Sequence, residues 1–361
     1  MTIAAHRPVA APAAALRDED HEQIVVRQDP DTGLRVIVAV HSTVLGPALG
    51  GMRVKRYAGG LTEALEDVMC LARTMTLKAS AAGLDLGGGK AVMIDDGRLD
   101  LRQKRLAQAA GVIDQLGGAY ITAEDIGTTT ADMDHVARFT RFCVGRSVGN
   151  GGGGDPSPVT AETVLEATRR GLAAHDGSDD LDGRRVGVVG VGKVGGALAT
   201  GFVRAGARVV AYDLDAGRCA RFAAEHDGVE IAGSVDAVLG RELDVLAPCA
   251  AGGLIDDSRA RALDVRVVAG AANNPLTDRG VARTLMERDV LYVPDFLANC
   301  GGLIHVAGEW YAGRGGPSEE DLIFRAMDSL DRALATAENE GLTPLKVAER
   351  QALERVKAAR P

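Results

Sequence analysis

The feature that most constrains the fold is a glycine pattern in the second half of the chain. The segment Val186–Gly196 reads VGVVGVGKVGG, a largely β-branched run that leads into closely spaced glycines. The spacing of Gly190, Gly192 and Gly195 predicts a strand, a tight turn and a helix packed closely on that strand. A second predicted strand follows at the expected distance and ends in Asp213. Together these signals predict a doubly wound parallel sheet of the Rossmann type.

The same pattern predicts a dinucleotide site. Gly192 lets the backbone approach a pyrophosphate, and the following helix, which opens with Lys193 and Val194, directs its N-terminus at the phosphates. Asp213 is suited to accept both ribose hydroxyls and would repel a 2′-phosphate, so NAD is favoured over NADP as the cofactor. A glycine-rich turn in an α/β domain without a nucleotide is the alternative.

Strands and helices alternate through the rest of this half. Continuous β-branched runs predict strands at 185–189, 208–212, 244–247, 266–269 and 290–293. Four consecutive glycines before Asp155 predict a break near residue 150. We therefore predict a Rossmann domain at 151–317. Capping signals at Ser318 and Thr343 predict closing helices over 318–361, which we expect to pack back toward the N-terminal domain.

The first half mixes helix and sheet. A turn-rich linker predicts a hairpin of strands 23–28 and 34–40, and a helix from a Thr62 cap to Leu77 delivers Lys78. Further elements are predicted as a strand at 91–94, a helix at 101–115 and a strand at 119–122. The fold class is thus α/β, with a mixed domain at 21–150 for substrate binding, catalysis and oligomerisation. Residues 1–20 are predicted to be a disordered leader.

Composition excludes several classes of partner. A formal net charge of −9 argues against nucleic acid, and no apolar run is long enough to span a bilayer. The five cysteines lack CxxC or CxxH spacing, and the histidines show no metal-ligand spacing either. We predict no bound metal, a reducing cytoplasm and a small-molecule substrate.

One lysine stands in an unusual setting. Three glycines precede Lys90 and apolar residues follow it. The glycines remove side chains that would block a ligand, and an apolar setting disfavours the charged ammonium. Lys90 is therefore predicted to act as a base near neutral pH.

Several segments match a known family in order and spacing. They are Leu45–Arg53, Gly87–Lys90, Ile121–Thr128, Asp155–Ala161 and Gly270–Asn274. With these segments, the chain resembles the leucine, valine and phenylalanine dehydrogenases, whose superfamily also contains glutamate dehydrogenase. The resemblance implies reversible NAD-linked oxidative deamination of an L-amino acid to its 2-oxo acid and ammonia. It also implies a homo-oligomer and a cleft between the two domains.

The resemblance also implies roles for individual residues. Lys78 resembles the lysine that binds the substrate carboxylate, and Lys90 resembles the lysine that activates the attacking water. Asp125 resembles the carboxylate that exchanges a proton with the amine. Asn273 and Thr160 resemble the groups that orient the nicotinamide carboxamide, and Asn273 is also placed beside the substrate.

Two of these residues have simpler interpretations. Lys78 is also interpretable as a solvated lysine at the end of a helix, where its charge interacts favourably with the helix dipole. Asp125, before Ile-Gly, is also interpretable as a turn residue that hydrogen-bonds its own backbone.

Substrate choice depends on a few apolar positions. Leu49 stands where glutamate dehydrogenases carry a lysine, and Val306 stands where they carry a serine, so the resemblance disfavours glutamate. The expected substrate-binding set is completed by Gly50, Gly51, Ala123 and Leu303. Branched-chain amino acids are the leading substrates. A phenylalanine dehydrogenase with the same mechanism and a non-catalytic NAD(H)-binding sensor remain the alternatives.

Overall fold

The computed structural model describes residues 21–250 and 252–360. The predicted leader at 1–20 lies outside the described residues. The chain forms two compact units: the first runs up to Leu77 and includes Asp85–Gly154, and the second contains Lys78–Leu84 and the chain from Asp155 onward. The functions predicted for residues 21–150, 151–317 and 318–361 stay predictions.

The first unit is built around a mixed sheet. Its strands and helices, in chain order, are β1 (Gln23–Asp29), β2 (Leu34–Ser42), β3 (Ala48–Lys55), α1 (Gly60–Ala81), β4 (Gly87–Ile94), α2 (Arg102–Gln115), β5 (Tyr120–Glu124) and α3 (Thr130–Val136). The strand order is β1-β2-β4-β3-β5, and β3 runs parallel to both β4 and β5. The predicted hairpin is confirmed, because β1 and β2 pair antiparallel across the turn that follows Asp29.

The glycines before Lys90 lie inside a strand. We predicted a strand only at 91–94, but β4 begins at Gly87. A Cβ added to Gly88 would lie 2.0 Å from the backbone nitrogen of Thr76 in α1. The space beside Gly88 is thus filled by the helix, and our interpretation of these glycines as an opening for a ligand is wrong. The small size of Gly88 instead lets α1 pack directly on the sheet, while a Cβ on Gly87 or Gly89 would meet Ser42 or Tyr120.

The limits of α1 also differ from the prediction. The helix begins at Gly60, two residues before the expected Thr62 cap, and continues to Ala81. The side chain of Glu63 reaches back to accept a hydrogen bond from the Gly59 amide at 2.7 Å, which stabilises the earlier start. Lys78 therefore lies within the last turn of the helix.

The second unit contains a parallel sheet with the order β11-β10-β9-β6-β7-β8. Its elements are α4 (Ser157–Asp176), β6 (Arg185–Val189), α5 (Lys193–Arg204), β7 (Arg208–Tyr212), α6 (Ala216–Glu225), β8 (Glu230–Ile231), α7 (Val235–Leu239), β9 (Glu242–Pro248), α8 (Asp257–Ala262), β10 (Asp264–Val268), α9 (Val281–Glu287), β11 (Leu291–Tyr292), α10 (Asp295–Ala298), α11 (Gly301–Tyr311), α12 (Glu319–Glu340) and α13 (Pro344–Ala358). The strand order reverses between β6 and β9. This switch point places the carboxyl ends of two neighbouring strands beside one crevice.

The closing helices begin where their capping residues predict. Ser318 and Asp321 form a reciprocal capping box at the start of α12, and the Thr343 side chain caps α13 with Pro344 in its first turn. Among the described residues, no helix is both long and apolar enough to cross a membrane.

Candidate functional site

The first unit brings the two predicted catalytic residues into contact. Lys90 lies on β4, and Asp125 follows directly after β5. The Nζ atom of Lys90 is 3.1 Å from Oδ2 of Asp125. Arg53, on the intervening strand β3, donates from Nε to the same oxygen at 2.9 Å. Three adjacent parallel strands thus place two cations around one carboxylate.

A glycine on the central strand makes room for this cluster. A Cβ on Gly51 would lie 2.7 Å from Cβ of Asp125, so a side chain there would displace the aspartate. Gly50 packs against the carbonyl oxygen of Gly89, which its Cβ would approach to 1.8 Å. The buried hydroxyl of Tyr120 donates to the Gly50 carbonyl at 2.7 Å. Packing therefore accounts for both glycines, and their predicted contact with substrate stays a prediction.

Burial and charge shift both ionisable groups. Only 7% of the Lys90 side chain is exposed, and burial lowers its pKa despite the opposing attraction of Asp125. Burial alone would raise the pKa of Asp125, but the charges of Lys90 and Arg53 outweigh it and bring that pKa below its usual value. Asp125 is thus ionised at neutral pH, and Lys90 releases its proton more readily than a lysine in water.

The turn interpretation of Asp125 describes its backbone only. The Asp125 carbonyl accepts a hydrogen bond from the Thr128 amide at 2.9 Å, and the Asp125 amide donates to Oγ1 of Thr128 at 2.8 Å. The carboxylate instead faces Lys90 and Arg53. The expectation that this side chain bonds its own backbone is wrong, and the group is held toward a buried amine.

Sequence reasoning missed the residues that support this pair. Arg53 Nη1 donates to Asp67 on α1 at 3.0 Å, and the hydroxyl of Tyr57 donates to the same carboxylate at 2.6 Å. Arg53 lies two residues after Gly51 on the same strand, so the two residues face the same side of the sheet. This spacing is the signal in the sequence that could have placed Arg53 near the site. Asp67 lies on a helix with other acidic residues, and its local sequence does not distinguish it from them.

In the second unit, the glycine pattern lies at the switch point of the sheet. Gly190 follows β6 with a φ of +105°, and its Cβ would lie 2.9 Å from the carbonyl carbon of Cys249 after β9. A Cβ on Gly195 would lie 1.9 Å from the Gly190 carbonyl oxygen, so the helix packs on the turn as expected. Gly192 caps α5, and its Cβ position faces open space. This geometry fits a bound pyrophosphate at the helix N-terminus.

Asp213 is held at the end of the neighbouring strand. Its Oδ2 accepts a hydrogen bond from the Val191 amide at 2.9 Å, and its Oδ1 accepts one from the Asp215 amide at 2.9 Å. Nη1 of Arg218 lies 3.6 Å from Oδ1. The carboxylate is therefore fixed beside the glycine turn, where an NAD ribose would be expected.

The helix after the turn opens with two of the predicted cofactor-binding residues. Lys193 is the first residue of α5, with its side chain 80% exposed and its Nζ 3.3 Å from Asp155 Oδ2. Val194 is the second residue and is half-buried. Their backbone amides belong to the first turn of the helix, whose N–H groups lack helical partners and are available to an anion.

Asn299 connects two more of the predicted residues. The Lys78 ammonium donates to Asn299 Oδ1 at 2.6 Å, and Asn299 Nδ2 donates to Oδ1 of Asn273 at 2.9 Å. Asn299 is only 4% exposed. Lys78 is thus half-buried and hydrogen-bonded rather than fully solvated, although it does lie in the last turn of its helix. Sequence reasoning missed Asn299, since its partners are distant in the chain.

Comparison with known proteins identifies the family. Residues 21–142 match the dimerisation domain of Glu/Leu/Phe/Val dehydrogenases, and residues 212–360 match the Glutamate/Leucine/Phenylalanine/Valine dehydrogenase family. The chain belongs to this family. The resemblance found from the sequence motifs, the two-domain α/β fold class and the prediction of an amino-acid dehydrogenase are confirmed.

Individual relatives cover nearly the whole chain. A valine dehydrogenase from Streptomyces virginiae is 42% identical over 94% of this chain and 95% of its own length. A leucine dehydrogenase from Geobacillus stearothermophilus is 39% identical over 94% of this chain and 92% of its own length. The crystal structure of L-tryptophan dehydrogenase from Nostoc punctiforme superposes with a TM-score of 0.82 at 28% identity, covering 96% of this chain and 99% of that one.

The remaining predicted residues of this dehydrogenase are mostly buried within their own units. Leu49 is fully buried on β3, and Ala123 lies on β5, which pairs with it. Leu303 and Val306 lie on α11 and are also buried. Thr160 lies on α4, where its hydroxyl donates to the Pro156 carbonyl at 2.9 Å. A common role of these side chains around one substrate stays a prediction.

Two of the cysteines, Cys249 and Cys300, are unsuited to act as nucleophiles. Burial raises the thiol pKa of Cys249 and of Cys300 to about 12, so neither forms a thiolate nucleophile at neutral pH. Within residues 21–250 and 252–360, no group of three or more histidine, cysteine or acidic side chains is arranged to hold a metal ion.

Proposed function

We propose that this dehydrogenase catalyses the reversible NAD-dependent oxidative deamination of branched-chain L-amino acids to 2-oxo acids and ammonia. The observation that carries the proposal is the buried contact of Lys90 with Asp125 at 3.1 Å. A buried amine of lowered pKa beside an ionised carboxylate supplies a base and a proton-exchange partner. Both are needed to convert an amine to a carbonyl.

Lys90 serves as the general base. NAD⁺ held by the glycine turn and Asp213 would supply the hydride acceptor for the substrate Cα, and the oxidised substrate would be an iminium. The neutral amine of Lys90 takes a proton from the water that attacks this iminium carbon. Asp125 exchanges a proton with the substrate nitrogen, so that the nitrogen leaves as ammonia. The low exposure of Lys90 lowers its pKa, so the neutral amine forms more readily than that of a lysine in water.

Three residues of the second unit orient the substrate and the nicotinamide. Lys78 binds the substrate carboxylate, a role supported by a fixed position of its ammonium against Asn299. Asn273 orients the nicotinamide carboxamide together with Thr160. The side chain of Asn273 is exposed but held by Asn299, so its free donors point in a defined direction.

Asp213 supports NAD as the cofactor. Its carboxylate is fixed by two backbone amides and keeps lone pairs for the ribose hydroxyls. That negative charge would repel the 2′-phosphate of NADP. The proposal is checked by comparing kcat/KM for NAD and NADP, and a preference for NADP would contradict it.

The apolar residues support an aliphatic substrate. Leu49, Ala123, Leu303 and Val306 offer no partner for a second carboxylate, and an unpaired buried carboxylate costs several kcal/mol. Named valine and leucine dehydrogenases among the relatives also favour branched-chain substrates. One methylene changes discrimination by only about 1–3 kcal/mol, so phenylalanine is the main competitor within this family.

The family also supports a proposal about assembly. The match to a dimerisation domain over residues 21–142 favours a homo-oligomer. The five cysteines are scattered without CxxC or CxxH spacing, which suits a reducing cytoplasm. The acidic net charge of −9 favours small-molecule partners over nucleic acid.

The test is a spectrophotometric assay of NADH formation. Purified protein with NAD is given L-valine, L-leucine, L-isoleucine, L-phenylalanine or L-glutamate at alkaline pH. We expect the highest kcat/KM with an aliphatic substrate and little turnover with glutamate. Binding of NADH without turnover of any amino acid would refute the proposed reaction and favour a sensor.

A further inference from the structure

Asp125 is held by two cations that differ in one chemical respect. Lys90 Nζ lies 3.1 Å from Oδ2, and Arg53 Nε donates to the same oxygen at 2.9 Å. Lys90 changes its protonation state in the proposed reaction, so its attraction to the carboxylate changes during turnover. A guanidinium keeps its charge at any pH at which a protein works. Arg53 is therefore the permanent partner of Asp125.

The guanidinium is itself fixed from α1. Its Nη1 donates to both oxygens of Asp67, at 3.0 and 3.3 Å. The Tyr57 hydroxyl donates to Asp67 Oδ2 at 2.6 Å, and burial raises the pKa of Tyr57, so this phenol stays a donor. Only 13% of the Arg53 side chain is exposed. Each group in this series is thus oriented by the next.

We propose that Arg53 is a positioning residue, which holds the carboxylate of Asp125 against Lys90 through its own pairing with Asp67. The proposal rests on the proposed function for the roles of Lys90 and Asp125. Nε and Nη1 of Arg53 both point at carboxylates of the protein, so these two donors act through Asp125 and Asp67.

The charge of Arg53 also affects both titrating groups in the same direction. Burial has the largest effect on each pKa, lowering that of Lys90 and raising that of Asp125, but the charge of Arg53 lowers both. Tyr120 also faces Asp125 from β5 and is kept neutral because burial raises its pKa, while Asp67 faces the guanidinium from α1. Removal of Arg53 therefore raises both pKa values and moves the pH profile of kcat/KM to more alkaline pH.

The experiment compares Arg53→Gln, Arg53→Lys and Asp67→Asn with a matched control. Arg56→Gln is the control, since Arg56 lies three residues further on, is 74% exposed and pairs only loosely with Asp95 at 3.4 Å. Each full-length variant is assayed for kcat, KM and the pH profile of kcat/KM, for NADH affinity and for thermal unfolding.

We expect Arg53→Gln to lower kcat about 100-fold, as a displacement of about 1 Å in a catalytic group does. Its NADH affinity should be unchanged and its pH profile shifted to alkaline pH. Arg53→Lys should restore the position of the pH profile, because it restores the charge. Asp67→Asn should lower kcat about tenfold by loosening the guanidinium, and Arg56→Gln should behave like the unaltered protein.

A crystal structure of the Arg53→Gln variant gives a second readout. A carboxylate that has turned away from Lys90 supports the proposal, whether or not the protein turns over an amino acid. Wild-type kcat with an unshifted pH profile overturns it, as does a carboxylate still 3.1 Å from Lys90 Nζ. If the unaltered protein turns over none of the amino acids, the proposed function fails. The crystal structure of the variant then decides the role of Arg53.

Discussion

Replacing Gly51 with alanine tests whether the spacing of Lys90 and Asp125 controls turnover. The added Cβ would lie 2.7 Å from the Asp125 Cβ and 2.6 Å from the Glu124 carbonyl oxygen. Ordinary contact begins at 3.4 Å, so the aspartate must move by about 0.7 Å. The Glu124 oxygen must move as well, and it belongs to a paired strand. The end of β5 therefore shifts and carries Asp125 with it.

A displacement of this size has a measurable consequence. A misplacement of about 1 Å costs about 100-fold in rate, so we expect kcat for amino-acid oxidation to fall by between tenfold and about 100-fold. Overpacking should also lower the free energy of unfolding by about 1–3 kcal/mol. NADH affinity should be unchanged, because the glycine turn that we assign to the cofactor belongs to the second unit.

The assay is initial-rate NADH formation, paired with thermal unfolding and NADH titration. The control is Gly111→Ala within α2, where a Cβ meets nothing within 4 Å. This control should raise stability by about 0.5–1 kcal/mol, since alanine is favoured over glycine in a helix interior, and should leave kcat unchanged. Wild-type kcat in a folded Gly51→Ala variant would refute the idea that this contact sets the position of Asp125.

Further predictions concern the lysines and their partners. Lys90→Ala should lower kcat by at least about 100-fold while NADH titration shows unchanged affinity, and retained turnover would remove Lys90 from the role of base. Since the pKa of Lys90 is lowered by burial, kcat/KM for deamination should rise with pH and level off below the pKa of an ordinary lysine; a flat profile from neutral to alkaline pH would contradict this. Asn299→Ala removes a hydrogen-bond acceptor from Lys78. A hydrogen bond to a charged group contributes about 1.5–3 kcal/mol, so we expect KM for the amino acid to rise by at least about tenfold. KM is measured by initial-rate kinetics, and an unchanged KM would contradict a role of Asn299 in positioning Lys78.

Local signals in the sequence determined the nucleotide-binding half of the fold. The predicted strands at 185–189 and 208–212 coincide with β6 and β7, because continuous β-branched runs mark strands covered on both faces. The positive φ of Gly190 and the tight packing of Gly195 agree with the roles predicted from their spacing. The N-caps of the two closing helices are equally local, since the capping side chain and its partner lie three residues apart.

The sequence did not predict β3 or the first half of β4, because their residues are unusual for a strand. β3 contains Gly50 and Gly51, and β4 begins with three glycines, so β-propensity gave no signal for these segments. These glycines are explained by neighbours that are distant in sequence. Gly88 meets the helix backbone at Thr76, and Gly51 meets Asp125. Only the folded sheet brings these pairs together.

The same division applies to the candidate site. The sequence identified Lys90 through its apolar setting and the motif resemblance, and it identified Asp125, Lys78 and Asn273 through the resemblance. It assigned no role to Arg53, Asp67, Tyr57 or Asn299, which orient those residues. A side chain that acts through another is recognisable only when both positions are known in space, since hydrogen bonds such as Lys78 to Asn299 join residues 221 positions apart. The local pattern therefore determined which groups carry the chemistry, and tertiary contact decided what holds them in place.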